Sequence, residues 1–216
     1  MDININEFHN KNTLNIFTDA SIGNKNNMGC YGAIAIVEDD IIDREYKMVS
    51  NTTNNNSEIK GIRAGLCLAM KYRFQYTNIN IFSDSLISIN GLRTYIYTWK
   101  EKDGLLYSKI GKPISNQSIF IECHGILKAL DDAPCIITLY HQSAHINNNY
   151  NELIKASNAF KKNNTIRGKI DLNFIRYICT WNNYVDNTSR GMLRRNVTNE
   201  NVYMDPIKFI PINGWL

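Results

Sequence analysis

Leu14-Asn15-Ile16-Phe17-Thr18-Asp19-Ala20-Ser21 is a short apolar run that closes on a carboxylate. Leu14 to Thr18 reads as a strand, because the run is short, aliphatic and aromatic, and bounded by polar residues. A glycine-containing, asparagine-rich turn, Gly23 to Asn27, separates it from a second apolar run, Gly29 to Val37. Asp39-Asp40 then separates that run from Ile41 to Val49. Three successive strands with short connections predict an antiparallel meander. After the polar stretch Asn51 to Asn56, Ser57 or its neighbours are candidate N-caps for a helix from Glu58 to about Gln75. Ile62, Leu66, Ala69, Met70 and Phe74 recur there on one face, and that face needs a sheet to cover.

Ile79 to Phe82 is another short strand, running into Ser83-Asp84 with a helix starting near Ser85. A strand feeding directly into a helix suits a parallel addition, so the expected class is α/β with a mixed sheet. Trp99 to Asn116 carries Lys100, Lys102, Lys109 and Lys112 with two glycines and a proline, and reads as a basic loop between helices. Phe120, Cys123, Ile126, Leu127 and Leu130 lie at helical spacing, and Cys135 to Tyr140 reads as a strand. His141 and His145 follow, then a helix from Tyr150 to Lys161 and a last helix from about Leu172 to Leu193. Phe174, Ile178, Trp181 and Val185 form one stripe of that last helix. Thr198 to Leu216 reads as a tail containing Pro206 and Pro211.

A chain of 216 residues that is 44% hydrophobic can bury one core well, so a single elaborated domain is expected. No apolar run reaches the roughly eighteen residues of a membrane span, and the polar opening MDININEFHNKN has no signal-peptide pattern. The expectation is a soluble, cytoplasmic monomer with no membrane partner. Cys30, Cys67, Cys123, Cys135 and Cys179 are odd in number and form no C-x-x-C pair, which argues against a disulfide framework or a zinc ribbon. His141 and His145 also lack further ligands at zinc spacing. A net charge of +4 is compatible with a polyanionic partner without identifying one.

Chemistry concentrates in the acids. Asp19 closes the first strand, Glu58 opens the first long helix and Asp84 closes the fourth strand. Ligands of α/β proteins gather outside the carboxyl ends of strands, and parallel first and fourth strands would bring Asp19 and Asp84 together there. Clustered carboxylates repel one another unless cations neutralise them, and oxygen-only ligands suit Mg²⁺. Two such ions about 3.5–4 Å apart can activate water and stabilise the leaving oxygen at phosphorus. Singly, each acid is an ordinary turn or helix-start residue.

The local contexts add a resemblance. Leu14-Asn-Ile-Phe-Thr-Asp19-Ala-Ser with Gly29-x-Tyr-Gly-Ala33 resembles the first two strands of ribonuclease H type 1. Thr52-Thr-Asn-Asn-Asn-Ser-Glu58 resembles the segment that leads into that family's metal-binding Glu, and Ile79-Asn-Ile-Phe-Ser-Asp84-Ser resembles its third motif. The resemblance implies a ribonuclease H-like fold, with a five-stranded mixed sheet flanked by helices. It implies two Mg²⁺ ions, replaceable by Mn²⁺, held by Asp19, Glu58, Asp84 and a fourth acid. Trp181-Asn-Asn-Tyr-Val-Asp186 supplies the family's Asn-to-Asp offset on the last helix, so Asp186 is favoured as that acid over Glu152. The sequence departs from the family between His145 and Asp186, where residues 146–171 form an expected helical insertion within a domain spanning 1–197.

The resemblance further assigns a histidine that shuttles protons or helps product leave, His145 before His141. It places substrate contacts at Ala20, Ser21, Thr53, Asn54, Asn55 and Asn182, and phosphate contacts at Lys100 and Lys102 on a basic handle. Asn56 stands where many members carry Arg, which weakens the usual pocket for a DNA phosphate. The activity implied is endonucleolytic cleavage of the RNA strand of an RNA–DNA hybrid. Two alternatives remain at this level: a related nuclease acting on branched or duplex DNA, and a nucleic-acid-binding module without chemistry.

Overall fold

A computed structural model describes residues 2–23, 28–147 and 149–195. β1 (Thr13–Ile22), β2 (Gly29–Val37) and β3 (Asp40–Val49) form the expected antiparallel meander. α1 (Asn54–Tyr72) crosses to β4 (Asn78–Ser83), which pairs parallel with β1. α2 (Leu86–Arg93) leads into a hairpin of β5 (Lys100–Lys102) and β6 (Leu105–Tyr107), followed by α3 (Gln117–Asp131). β7 (Ile136–His141) adds parallel to β4, and α4 (Tyr150–Asn163) and α5 (Leu172–Arg195) complete the chain. The main sheet runs β3-β2-β1-β4-β7, the mixed five-stranded sheet flanked by helices that the motifs predict.

Strand alternation builds two cores. Leu14, Ile16, Ala33, Ala35, Ile79 and Ile81 face α1 and α3 on one side. Phe17, Ile34, Ile36 and Phe82 face α4 and α5 on the other, against Phe160, Phe174, Tyr177 and Trp181. Each large apolar side chain so buried contributes about 1.5–3 kcal/mol. Gly65 lets α1 lie close on the sheet: a Cβ there would stand 2.7 Å from Thr18 Cγ2 and 3.2 Å from Ile16 Cγ2. That close approach brings the first turns of α1 to the end of β1.

Three elements differ in detail from the sequence reading; the first is β1, which does not close at Asp19 but continues three residues further to Ile22, paired with β2. α1 begins four residues before Glu58, because Thr53 rather than Ser57 is the N-cap, accepting the Asn56 N–H on its side chain. Ser57 is instead buried and shares a hydrogen bond with Thr52 at 2.8 Å. The basic segment after Trp99 is a hairpin rather than a loop. Its two-residue turn is Asp103-Gly104, both at positive φ, the conformation that favours Asp-Gly in tight hairpins. The tail from Thr198, and part of the Gly23–Asn27 turn, lie outside the described residues. No helix among the described residues is long and apolar enough to cross a membrane.

Candidate metal centre

The register of β1 with β4 ends at Thr18 opposite Ser83. Asp19 and Asp84 are the next residues of two parallel neighbours: β4 stops at Ser83, so Asp84 leaves the sheet there, while Asp19 stays in β1 opposite Gly32 and is uncovered on the side where β4 has ended. α1 carries Glu58 over that opening, and α5 carries Asp186 to it from the opposite face. All four line one cleft of about 510 Å³, together with Ala20, Ser21, Asn54, His145, Arg190 and Arg194. A larger concavity, about 700 Å³ along the free edge of β7, contains none of them.

Glu58 and Asp186 are held both from their own helices and from other elements, Asp19 from its own strand. One oxygen of Asp19 accepts the Ala20 N–H at 2.6 Å, while Oδ2 is buried without a partner. Glu58 accepts from Asn54 Nδ2 on one oxygen and from Ser85 Oγ, at 2.6 Å, on the other. Asp84 occupies the bend between β4 and α2, and its carbonyl accepts the Leu86 N–H at 3.1 Å. Asp186 is 4% exposed and receives the Ser21 hydroxyl at 3.3 Å, Arg190 Nε at 2.8 Å and His145 Nδ1 at 3.3 Å.

The electrostatics are those of crowded, partly buried carboxyl groups. Burial, then the neighbouring Asp84 and Asp186, push the Asp19 carboxyl far above the usual carboxylate range. Burial, then Glu58, raise Asp84 as well. Both shifts disfavour the ionised form, a cost that a nearby cation would offset. Among the described residues no three His, Cys, Asp or Glu side chains converge closely enough to enclose one ion. The donor set fits cations that take one or two carboxylates each and keep water elsewhere, which is the habit of Mg²⁺. The orphaned Asp19 Oδ2 is an open ligand position for such an ion.

Other residues singled out from the sequence fall at varying distances from this cleft. Ala20, Ser21 and Asn54 line it, and His145 stands at its rim with its side chain 57% exposed. Thr53 caps α1 and Asn55 is exposed beside it, but neither lines the cleft. Asn182 is completely buried and accepts from Gln142 Nε2 at 2.6 Å, so it fastens α5 to the segment after β7 instead of facing substrate. Lys100 and Lys102 are exposed on the β5–β6 hairpin, away from the acids. Glu152 lies in the first turn of α4 behind its N-cap Asn149, its carboxylate accepting the Asn147 N–H at 2.7 Å, and does not line the cleft. His141 is buried with both ring nitrogens engaged, so it cannot be the mobile histidine.

Sequence reasoning places Ser85 only near a helix start and leaves Arg190 without a role. Ser85 is at once the N-cap of α2 and a donor to Glu58; its position after Asp84 is the only signal. Arg190 also touches His145 Nε2 at 3.1 Å. The i, i+4 spacing from Asp186 is the pattern that could have suggested the ion pair.

A family model for RNase H matches residues 11–153, well over half of the chain. The ribonuclease H of Wolbachia sp. subsp. Drosophila simulans (strain wRi) is 28% identical over 145 residues, covering 66% of this chain and 90% of that protein. The ribonuclease H of Wolbachia pipientis wMel is 29% identical over 140 residues, covering 63% and 86% respectively. Among solved structures, the PFV RNase H domain in solution superposes with a TM-score of 0.49 at 15% identity, covering 74% of this chain and 96% of that one. The matched span contains β1, α1 and β4 with their three acids, and α5 brings Asp186 to the same cleft from beyond residue 153. By that match and that shared cleft, the chain belongs to the ribonuclease H family.

Proposed function

We propose that this chain is a metal-dependent endonuclease that hydrolyses the RNA strand of RNA–DNA hybrids, leaving a 5′-phosphate and a 3′-hydroxyl. The observation that carries the reading is the arrival of four carboxylates, from β1, α1, β4 and α5, in one cleft. Asp19, Glu58, Asp84 and Asp186 would hold two Mg²⁺ ions, with Mn²⁺ able to replace them. When bound, such ions activate water and stabilise the leaving oxygen at phosphorus.

The chain's own residues do the rest. Asp19 Oδ2, buried and unpaired, offers a ligand position at the sheet edge. Asn54 and Ser85 fix the Glu58 carboxylate by one hydrogen bond to each oxygen. Arg190 and His145 orient Asp186, and His145, exposed at the rim, can carry a proton between the cleft and solvent. Ala20, Ser21 and Asn54 face the cleft where a 2′-hydroxyl could be read, the group that separates RNA from DNA. Lys100 and Lys102 would grip phosphates at a distance, without sequence preference. Residues 1–197 form one catalytic unit in this reading, with 146–171 inserted ahead of its last helix.

The test is Mg²⁺-dependent cleavage of a labelled hybrid beside duplex DNA, duplex RNA and a branched DNA. Wild type should cut the RNA of the hybrid. Asp84→Asn and Asp186→Asn should each lose about a hundredfold or more, while Glu152→Gln keeps wild-type activity. Equal activity of wild type and Asp84→Asn would refute the site, and cleavage of the branched substrate alone would refute the substrate.

A further inference from the structure

β7 is an edge strand of the main sheet, so the backbone groups on its outer side have no strand to pair with. At His141 a side chain takes that place. Asn164, the C-cap of α4, accepts the His141 N–H at 2.9 Å and donates from Nδ2 to the His141 carbonyl at 2.7 Å. Its Oδ1 also receives Arg93 Nη2 at 2.8 Å, and Arg93 reaches the Leu139 carbonyl on the same edge. The preceding Asn163 donates from Nδ2 to His141 Nδ1 at 3.0 Å. With Nδ1 accepting, the ring proton sits on Nε2. That nitrogen donates to the backbone carbonyl of Asp84 at 3.1 Å.

An unbroken line of hydrogen bonds therefore joins the end of α4 to the main chain of one of the four acids. His141 is 8% exposed and lies outside the cleft, so its part in the line is mechanical. The line also has something to resist. Four carboxyl side chains share the cleft, and Asp84 stands on a bend whose carbonyl also accepts the nearby Leu86 N–H. Those of the acids that are ionised repel one another, a load on that bend that bound cations would relieve.

We propose that Asn164 and His141 are positioning residues for Asp84: through them the segment between β7 and α5 braces the β4–α2 corner and sets the affinity of the cleft for divalent cations. The inference rests on reading the four acids as metal ligands. It gives this extra segment a part in the active site, although its helix packs outside the sheet against α5.

The experiment uses the full chain with Asn164→Ala, His141→Leu, His141→Gln and Asn163→Ala. Two readings are taken for each: the Mg²⁺ concentration for half-maximal hybrid cleavage, with kcat and KM at saturating Mg²⁺, and the rise in Tm on adding Mg²⁺ to chelated protein. Asn164→Ala and His141→Leu should raise the half-maximal Mg²⁺ roughly tenfold, the usual scale for partners that orient a ligand. The same variants should shrink the Mg²⁺-induced rise in Tm and leave KM for the hybrid near wild type. His141→Gln, whose side-chain amide can still donate to the Asp84 carbonyl, should recover most of both losses. Variants with a lower Tm but a wild-type Mg²⁺ midpoint and thermal shift would overturn the proposal, since a purely structural tie predicts that pattern. Should the larger substitutions fail to fold, Asn163→Ala removes only the bond to Nδ1, and wild-type readings there overturn it equally. A wild-type protein that cuts no hybrid yet gains stability from Mg²⁺ would sink the proposed substrate, while the thermal-shift series would still decide the brace.

Discussion

Asp19 shows at the scale of one residue how a site can be legible in sequence before its energetics are. Its place just past the apolar run follows from Leu14 to Thr18 alone, but the cost of placing it there depends on what surrounds it. One oxygen has the Ala20 N–H and the other has nothing, with Asp84 and Asp186 close by. Burial and that company raise its pKa from 3.8 to about 9. A carboxyl that holds its proton more tightly folded than unfolded favours the fold at low pH, and that contribution is lost as pH rises through the same interval. In a chelator, wild type should therefore lose stability progressively from about pH 4 to about pH 9. Asp19→Asn, which keeps the shape without the charge, should be more stable at neutral pH by roughly 1–3 kcal/mol. It should also gain little from Mg²⁺, which stabilises wild type. Thermal melts across pH, with and without Mg²⁺, measure this directly, and a chelated variant no more stable than wild type would refute it. The residues around Asp19 were harder to read. Ser85 and Arg190 act on Glu58 and Asp186 through contacts between elements, and no local pattern marks a side chain for such a contact.

Elements were legible where periodicity was strong and blurred where polar runs carried their own hydrogen bonds. β2 spans the expected Gly29–Val37, because nine residues with both faces buried leave no alternative. α1 starts a turn earlier than propensity suggests: Asn54-Asn-Asn reads as a turn, yet one threonine cap suffices to start the helix there. The earlier start has a consequence, since Asn54 then lies one turn before Glu58 and can donate to it. The β5–β6 hairpin carried the clearest local signal that went unused, Asp103-Gly104 between two short runs. Its strands hold Lys100 and Lys102 exposed and outside the cleft of the acids, so they can add affinity without touching chemistry. Replacing both with Ala should weaken hybrid binding several-fold and leave kcat at saturating hybrid unchanged. The slope of log affinity against log salt should become shallower by roughly 1 to 2, as expected for two lost phosphate contacts. Binding titrations over a range of salt check this; an unchanged slope would mean the hairpin meets no nucleic acid.

At the scale of the whole molecule, the difficulty was which helix reaches the sheet edge after β7. Spacing alone made Glu152 a rival to Asp186, because it stands closer in sequence to His145. Packing decides it. The apolar stripe of α5 covers β1 and β2 through Phe174, Tyr177, Ile178 and Trp181, whereas α4 buries Leu153, Ala156 and Phe160 alongside it. The helix that lies across β1 is the one that can bring an acid to the end of β1. Trp181 is central to that docking: it is 2% exposed, with ring centroids 6.5 Å from both Phe17 and Tyr177. Trp181→Ala should cost about 3–5 kcal/mol, and it should also loosen α5 one turn before Asp186. Leu130→Ala on α3, in the other core, supplies the control, with a loss of about 2–5 kcal/mol and no path to an acid. Urea midpoints give the two stabilities, and kcat is compared where both variants remain folded. Trp181→Ala should lose activity per folded molecule and Leu130→Ala should keep it. Equal activity of the two would mean that Asp186 holds its place without the packing of α5, through Arg190, His145 and Ser21 alone.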